Sequence, residues 1–313
     1  MTNMEAALHA ACAMLLLAAS TGCERGKPDL PAPSARAAIS RGPGQAAPAS
    51  FPTAASVATQ NEYRWLQADV SDTLERRVAP PQGYSRIPLA SESFGRWLRG
   101  LPLRPGRSQV HLYSGALKAN QSAHYAVIDI DAGNRDLQQC ADAVIRLRAE
   151  FLFARGRDGD IQFHFTSGDL AQWTRWREGC RPRVQGNSVQ WRKSAQPDSS
   201  YASFRAYLDT VFTYAGTMSL SRELASVADP AAIDPGDVFI RAGNPGHAAI
   251  VLDVAANAAG DRVFLLAQGY MPAQDVHVLV NPGDDSLSPW YQAKTEGELR
   301  TPEYLFQYED LRR

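Results

Sequence analysis

The chain has no excess of charge of either sign: 32 Lys and Arg stand against 33 Asp and Glu in 313 residues. That balance gives no electrostatic case for nucleic acid as a partner. There is no internal repeat, which sets repeat architectures aside. There is no HExxH spacing, so a metal hydrolase built on His124, His247 and Asp129 lacks that motif. Asp129, Asp131 and Asp136, in D-I-D-A-G-N-R-D, resemble a fragment of a calcium loop, but Cys140 stands where the closing Glu belongs. The N-terminal apolar run, Ala6 to Ser20, is too short for a membrane span. Cysteine is sparse, with four in all. Once a signal peptide is removed, the thiols left are Cys23, Cys140 and Cys180.

What is present divides the chain into three. Residues 1–23 read as an export signal, and Ser20-Thr21-Gly22-Cys23 resembles a lipobox with Cys23 as the lipidated residue. Residues 24–60 are rich in Pro, Ala, Ser and Gly without apolar periodicity, a composition that cannot bury a core and suits a tether. Residues 61–313 form the folded domain. Hydrophobic content of 44%, with six Trp and 11 Tyr, is what a packed domain of this length requires.

The domain is organised around Asp234 to Gln274. Val238-Phe239-Ile240, Gly246 to Leu252 and Val263 to Ala267 are apolar runs between turn clusters, which predicts three consecutive antiparallel strands. His247 opens the middle strand between small residues. Its imidazole suits general base work near neutrality, against the alternative of a structural His bonded to a loop carbonyl.

Upstream, Asp136 is a plausible N-cap for a helix through Leu152, with Cys140 in its first turn. A helix N-terminus favours the thiolate. Cys140, Val144, Leu147 and Phe151 also recur at helical spacing, so Cys140 fits a core position as well. A Cys140–Cys180 disulfide is a further alternative. It would close a loop of about 40 residues and contribute roughly 3–4 kcal/mol, leaving no nucleophile. Cys180 itself lies in a polar stretch, Gly179 to Ser199, expected to be an exposed loop.

A Cys at a helix start, followed by a strand opening with Gly-His in GDV…GHAAIVLDV, resembles the NlpC and CHAP groups of papain-like cysteine amidases. The phrases SFGRWLRGLPL, DLQQCADAVIRLRAEFLF and LLAQGYMPAQDVHVLVNP resemble an uncharacterised family of bacterial envelope proteins from about Tyr63 onward. The amidase resemblance implies Cys140 as nucleophile, His247 as base and Gln268, on the next strand, as the residue that orients the imidazole. It implies a peptidoglycan peptide or other envelope substrate, no cofactor, and an α+β fold: an antiparallel sheet with packed helices, papain-like with insertions. The alternative is a non-catalytic envelope lipoprotein that binds a wall fragment or a partner protein.

Other elements follow from pattern. Ser91 to Leu98 and Tyr201 to Ala215 read as helices, and Met218 to Val227 as a further one. Val110 to Tyr113, Tyr125 to Ile130, Ile161 to Phe165 and Val276 to Val280 read as strands. Asp169 to Trp176 reads as a short helix with Trp173 and Trp176 on one face. His124 falls in a polar loop and is a second candidate for the site. Arg99, Arg104 and Arg107 offer a basic rim, against the preferred alternative of an ordinary solvated face. Asp253 lies too far down the strand from His247 to orient it.

Overall fold

The computed structural model describes residues 58–313. Residues 1–57, on which the expected export signal, the expected lipidation of Cys23 and most of the expected tether fall, lie outside the described residues. The architecture is α+β, with antiparallel sheets and helices packed on them.

Eight strands form the central sheet: β1 Tyr84–Arg86, β2 His124–Val127, β3 Val238–Arg241, β4 His247–Asn257, β5 Arg262–Gln268, β6 His277–Leu279, β7 Tyr291–Gln292 and β8 Leu311–Arg312. Their order is β8-β3-β4-β5-β6-β2, with β1 also on β4 and β7 also on β5, all antiparallel. The three strands expected around His247 are β3, β4 and β5. The helices are α1 Leu74–Arg77, α2 Phe94–Arg99, α3 Cys140–Ala154, α4 Trp173–Arg177, α5 Tyr201–Tyr214 and α6 Thr217–Glu223.

Both faces of the sheet are covered, which is why its strands read as continuous apolar runs rather than as alternating ones. Ala248, Ile250 and Leu252 of β4, with Val263, Leu265 and Ala267 of β5, join one core with α2, α3 and α5. Ala249 and Val251, with Phe264 and Leu266, join a second core with Phe306, Tyr308 and Leu311. Alternation therefore puts His247, Gln268 and His277 on the second face, while α3 packs on the first.

Several local readings are corrected. The helix at Cys140 begins one residue after Gln139, not at Asp136, whose carboxylate accepts from Ala273 N at 2.7 Å instead. Val110 to Tyr113 makes only isolated bridges. Leu170–Gln172 pairs with Gln162–His164 as a hairpin, and the helix follows only from Trp173, with Trp173 and Trp176 buried. The expected loop at 179–199 is a hairpin, Cys180–Gln185 against Ser188–Lys193. Its turn is Gly186-Asn187, with Gly186 at φ 58°, a hairpin signature hidden in a polar context. Cys180 is thus buried and disulfide-bonded, not exposed. Since Cys140 is a free thiol, the 140–180 pairing does not form. The basic rim does not form either: Arg99 is buried against Asp253 at 2.7 Å, and Arg104 grips Asp275 in a two-pronged pair at 2.7 and 2.8 Å.

Candidate functional site

The site lies where the N-terminus of α3 meets the open ends of β4 and β5. Two glycines allow this approach. A Cβ on Gly269, directly after β5, would sit 2.7 Å from the Gln139 carbonyl oxygen. One on Gly246, directly before β4, would sit 2.5 Å from Thr217 Oγ1 and 2.6 Å from the Gly243 carbonyl. Contacts that short force a shift, so side chains at either place would push α3 or α6 away from the strand ends.

Cys140 is the first residue of α3 and His247 the first of β4. Both line one cavity of about 570 Å³, together with Asp142, Thr217, Asn244 and Tyr270. The backbone N–H groups of Ala141 and of Ala248, the residue after His247, favour the thiolate form of the sulfur. No hydrogen bond joins the sulfur to the imidazole among the described residues. Burial pushes the thiol above its ordinary pKa; the Ala141 amide works against this, and the nearby Asp142 carboxyl adds to it. The expected lowering by the helix N-terminus is therefore overcome, because desolvation of a nearly enclosed thiolate is the larger effect.

His247 is 2% exposed, and its Nε2 stands 2.7 Å from Gln268 Oε1. Tyr270, Tyr304 and Phe306 enclose the ring with centroids 5.0, 4.9 and 5.7 Å away. Burial lowers its pKa to about 4, partly opposed by the Gln268 bond. The imidazole is thus neutral at neutral pH and able to accept a proton. Gln268 in turn donates to Glu303 Oε2 at 2.8 Å and lies 3.3 Å from His277 Nε2. Glu303 Oε1 accepts from the buried Lys118 ammonium at 2.6 Å. Sequence reading missed Glu303, Lys118 and Tyr270, which come from loops far apart in the chain with no shared motif.

Asp142 is nearly buried beside Cys140. One of its oxygens accepts from Gln139 N at 3.1 Å and the other has no partner. Burial drives its pKa up to about 8.

The remaining candidates fall elsewhere. His124 opens β2 rather than lying in a loop, and its Nε2 is bonded to the Ser108 carbonyl at 2.9 Å. Its ring packs edge-on to His277 at 6.2 Å. Asp131 is held by Arg146 and Arg205. Asp129 lies 3.7 Å from Arg104. Asp253 is bound by Arg86 and Arg99, away from the imidazole. Among the described residues, no three His, Cys, Asp or Glu side chains are grouped so as to hold a metal ion.

The fold and site define an α+β protein with a free cysteine and a neutral histidine opening on one cavity. Residues 74–313 match the family described as a domain of unknown function (4846), and the chain belongs to that family. No curated protein and no solved structure matches it.

Proposed function

We propose that the chain is a thiol hydrolase of amide or ester bonds in the cell envelope, with peptidoglycan peptides as the substrate class. The observation that supports it is the shared cavity: a free thiol at a helix N-terminus faces the same space as an imidazole held at 2.7 Å by a buried amide. In this reading the resting pair is neutral. His247 takes the Sγ proton on the ring nitrogen not bonded to Gln268, as sulfur attacks the substrate carbonyl carbon. The imidazolium then gives that proton to the departing amine or alcohol, leaving a thioester. Water, deprotonated by His247, attacks the thioester and releases Cys140 and a carboxylic acid. The Cys140 backbone N–H is the candidate donor to the oxyanion, by analogy with the papain-like amidases.

One observation favours the non-catalytic alternative, a scaffold that binds a wall fragment: sulfur and imidazole share no hydrogen bond. Unliganded sites are often loose in this way and tighten with substrate, so the hydrolase reading is kept first. Export to an oxidising compartment is part of the proposal. Anchoring through a lipid on Cys23 is part of the proposal. A thioether there would take that thiol out of any disulfide, and the mass of the N-terminal peptide of the mature protein decides which occurs.

The test is digestion of purified peptidoglycan, read by mass spectrometry of the released fragments. Wild type should release fragments with a new amine and a new carboxylate, and Cys140→Ser should not. Equal release by both, or none by wild type, would contradict the reading.

A further inference from the structure

Gln268 has one acceptor and two donor hydrogens, and nothing in its own chemistry says which end faces His247. The neighbours decide it. Glu303 is paired with Lys118 and, as a carboxylate, can only accept. Its Oε2, 2.8 Å away, must therefore meet the amide nitrogen. His277 Nδ1 stands 2.9 Å from the Asp275 carbonyl, another group that only accepts, so Nδ1 carries the hydrogen and Nε2 a lone pair. That lone pair receives the second amide hydrogen at 3.3 Å. With both amide hydrogens committed, Oε1 points at His247, and His247 Nε2 must donate to it. The lone pair left on the ring is on Nδ1.

We infer that Glu303 is a positioning residue, which holds the Gln268 amide one way round and so fixes the His247 tautomer that keeps Nδ1 free to accept a proton. Lys118 keeps the carboxylate in place from the other side, and His277 serves as the second clamp on the amide. All four groups are enclosed, so water does not compete for these positions: Lys118, Gln268 and His277 are buried, and the Glu303 side chain is 12% exposed. The use of this tautomer rests on the hydrolase reading; the donor and acceptor assignments do not.

The experiment is a long-range proton–nitrogen correlation spectrum of the mature protein labelled with ¹⁵N-histidine, for wild type and Glu303→Gln. Of the six histidines in the sequence, His9 lies in the segment read as the signal peptide, so each of the five rings of the mature protein is assigned by a single His→Gln substitution. Wild type should show His247 protonated on Nε2 and His277 on Nδ1. In Glu303→Gln the neighbouring amide can donate as well as accept, so the Gln268 amide is free to turn. His247 should then lose its single tautomer and show signal from both forms. A wild-type His247 protonated on Nδ1, or a Glu303→Gln spectrum with His247 still wholly Nε2–H, overturns the inference. Should Glu303→Gln not fold, Glu303→Ala, which also removes the carboxylate, takes its place in the same comparison. Alkylation of Cys140 by iodoacetamide separates this inference from the hydrolase reading. It should slow in Glu303→Gln in proportion to the fraction of His247 that leaves the Nε2–H form, since a base in the wrong tautomer is a poor one. A tautomer change with unchanged alkylation leaves the positioning role standing and removes the thiol–imidazole partnership.

Discussion

Helix α3 touches two buried polar clusters, and they differ in one respect. Near its middle, Arg146 is fully buried and places every guanidinium nitrogen on an acceptor. It meets Glu150 at 2.6 Å, Gln138 at 3.0 Å, Tyr201 at 3.2 Å and Asp131 at 3.3 Å. The thiol at its start faces the other cluster, in which Lys118, Glu303, Gln268 and His247 are linked in series. Arg146 ends on partners. The second chain ends on an imidazole that opens on a cavity shared with a free thiol. Buried charge alone therefore says little about function on this helix. A chain of bonds that delivers an unused lone pair to a cavity says more.

That contrast can be broken by substitution. His247→Ala should lower hydrolysis by about 10²- to 10⁴-fold, the usual contribution of a general base. Its melting temperature should stay within a few degrees, since one orphaned amide oxygen costs about 1–3 kcal/mol. A collapsed fold would put His247 with Arg146 as a structural residue. Arg146→Ala should do the reverse. It leaves Glu150 buried without its counter-charge and should destabilise by about 3–5 kcal/mol, with activity per folded molecule retained; denaturant titration beside a rate assay reads both. Gln268→Ala should cost less rate than His247→Ala, because an orienting group contributes less than the base it orients. Activity equal to wild type would remove Gln268 from the site.

The last effect is on pH dependence, to which three buried groups contribute. His247 and His277 have folded pKa values lowered by burial to about 4 and about 3. The unfolded chain takes up these protons first, so the two histidines withdraw stability as pH falls below about 6.5. Asp142, raised to about 8, works the other way: its contribution is complete below the ordinary carboxyl pKa and is lost as pH rises through about 8. Each acts with a slope of up to about 1.4 kcal/mol per pH unit. Two histidines outweigh one carboxyl on the acid side, and of the three only Asp142 still changes above about 6.5. Thermal stability should therefore peak near pH 6.5, with the decline toward pH 8 absent in Asp142→Asn. A wild-type profile flat from pH 6.5 to 8 would mean that Asp142 ionises freely. The acid limb of kcat/KM should fall near pH 4 rather than near the usual histidine value.

The strands β3 to β5 and helices α2, α3 and α5 were legible because apolar runs, spacing and the Ser93 cap carry their own signal. The place of Cys140 at a helix start and the pairing of His247 with Gln268 followed from the cap pattern and the strand order. Two things were not legible. The hairpin from Cys180 to Lys193 hides its pattern because one of its faces is solvated, so polar residues dominate it. Glu303 and Lys118 lie 35 and 150 positions from Gln268 in the chain and meet it only through the sheet. The effect on the thiol was misread for a related reason: helix position is visible in sequence, but the burial that outweighs it is set by the chain folding over α3.

The central claim is that Cys140 and His247 work as a pair, and iodoacetamide alkylation of the mature protein, without reductant and read by peptide mass between pH 5 and 9, tests it most directly. The account predicts that Cys140 reacts in the native state, faster as pH rises, with no plateau at the ordinary thiol value of about 8.5, and more slowly in His247→Ala at every pH. Identical rates in wild type and His247→Ala, or a Cys140 that reacts only after unfolding, would contradict it.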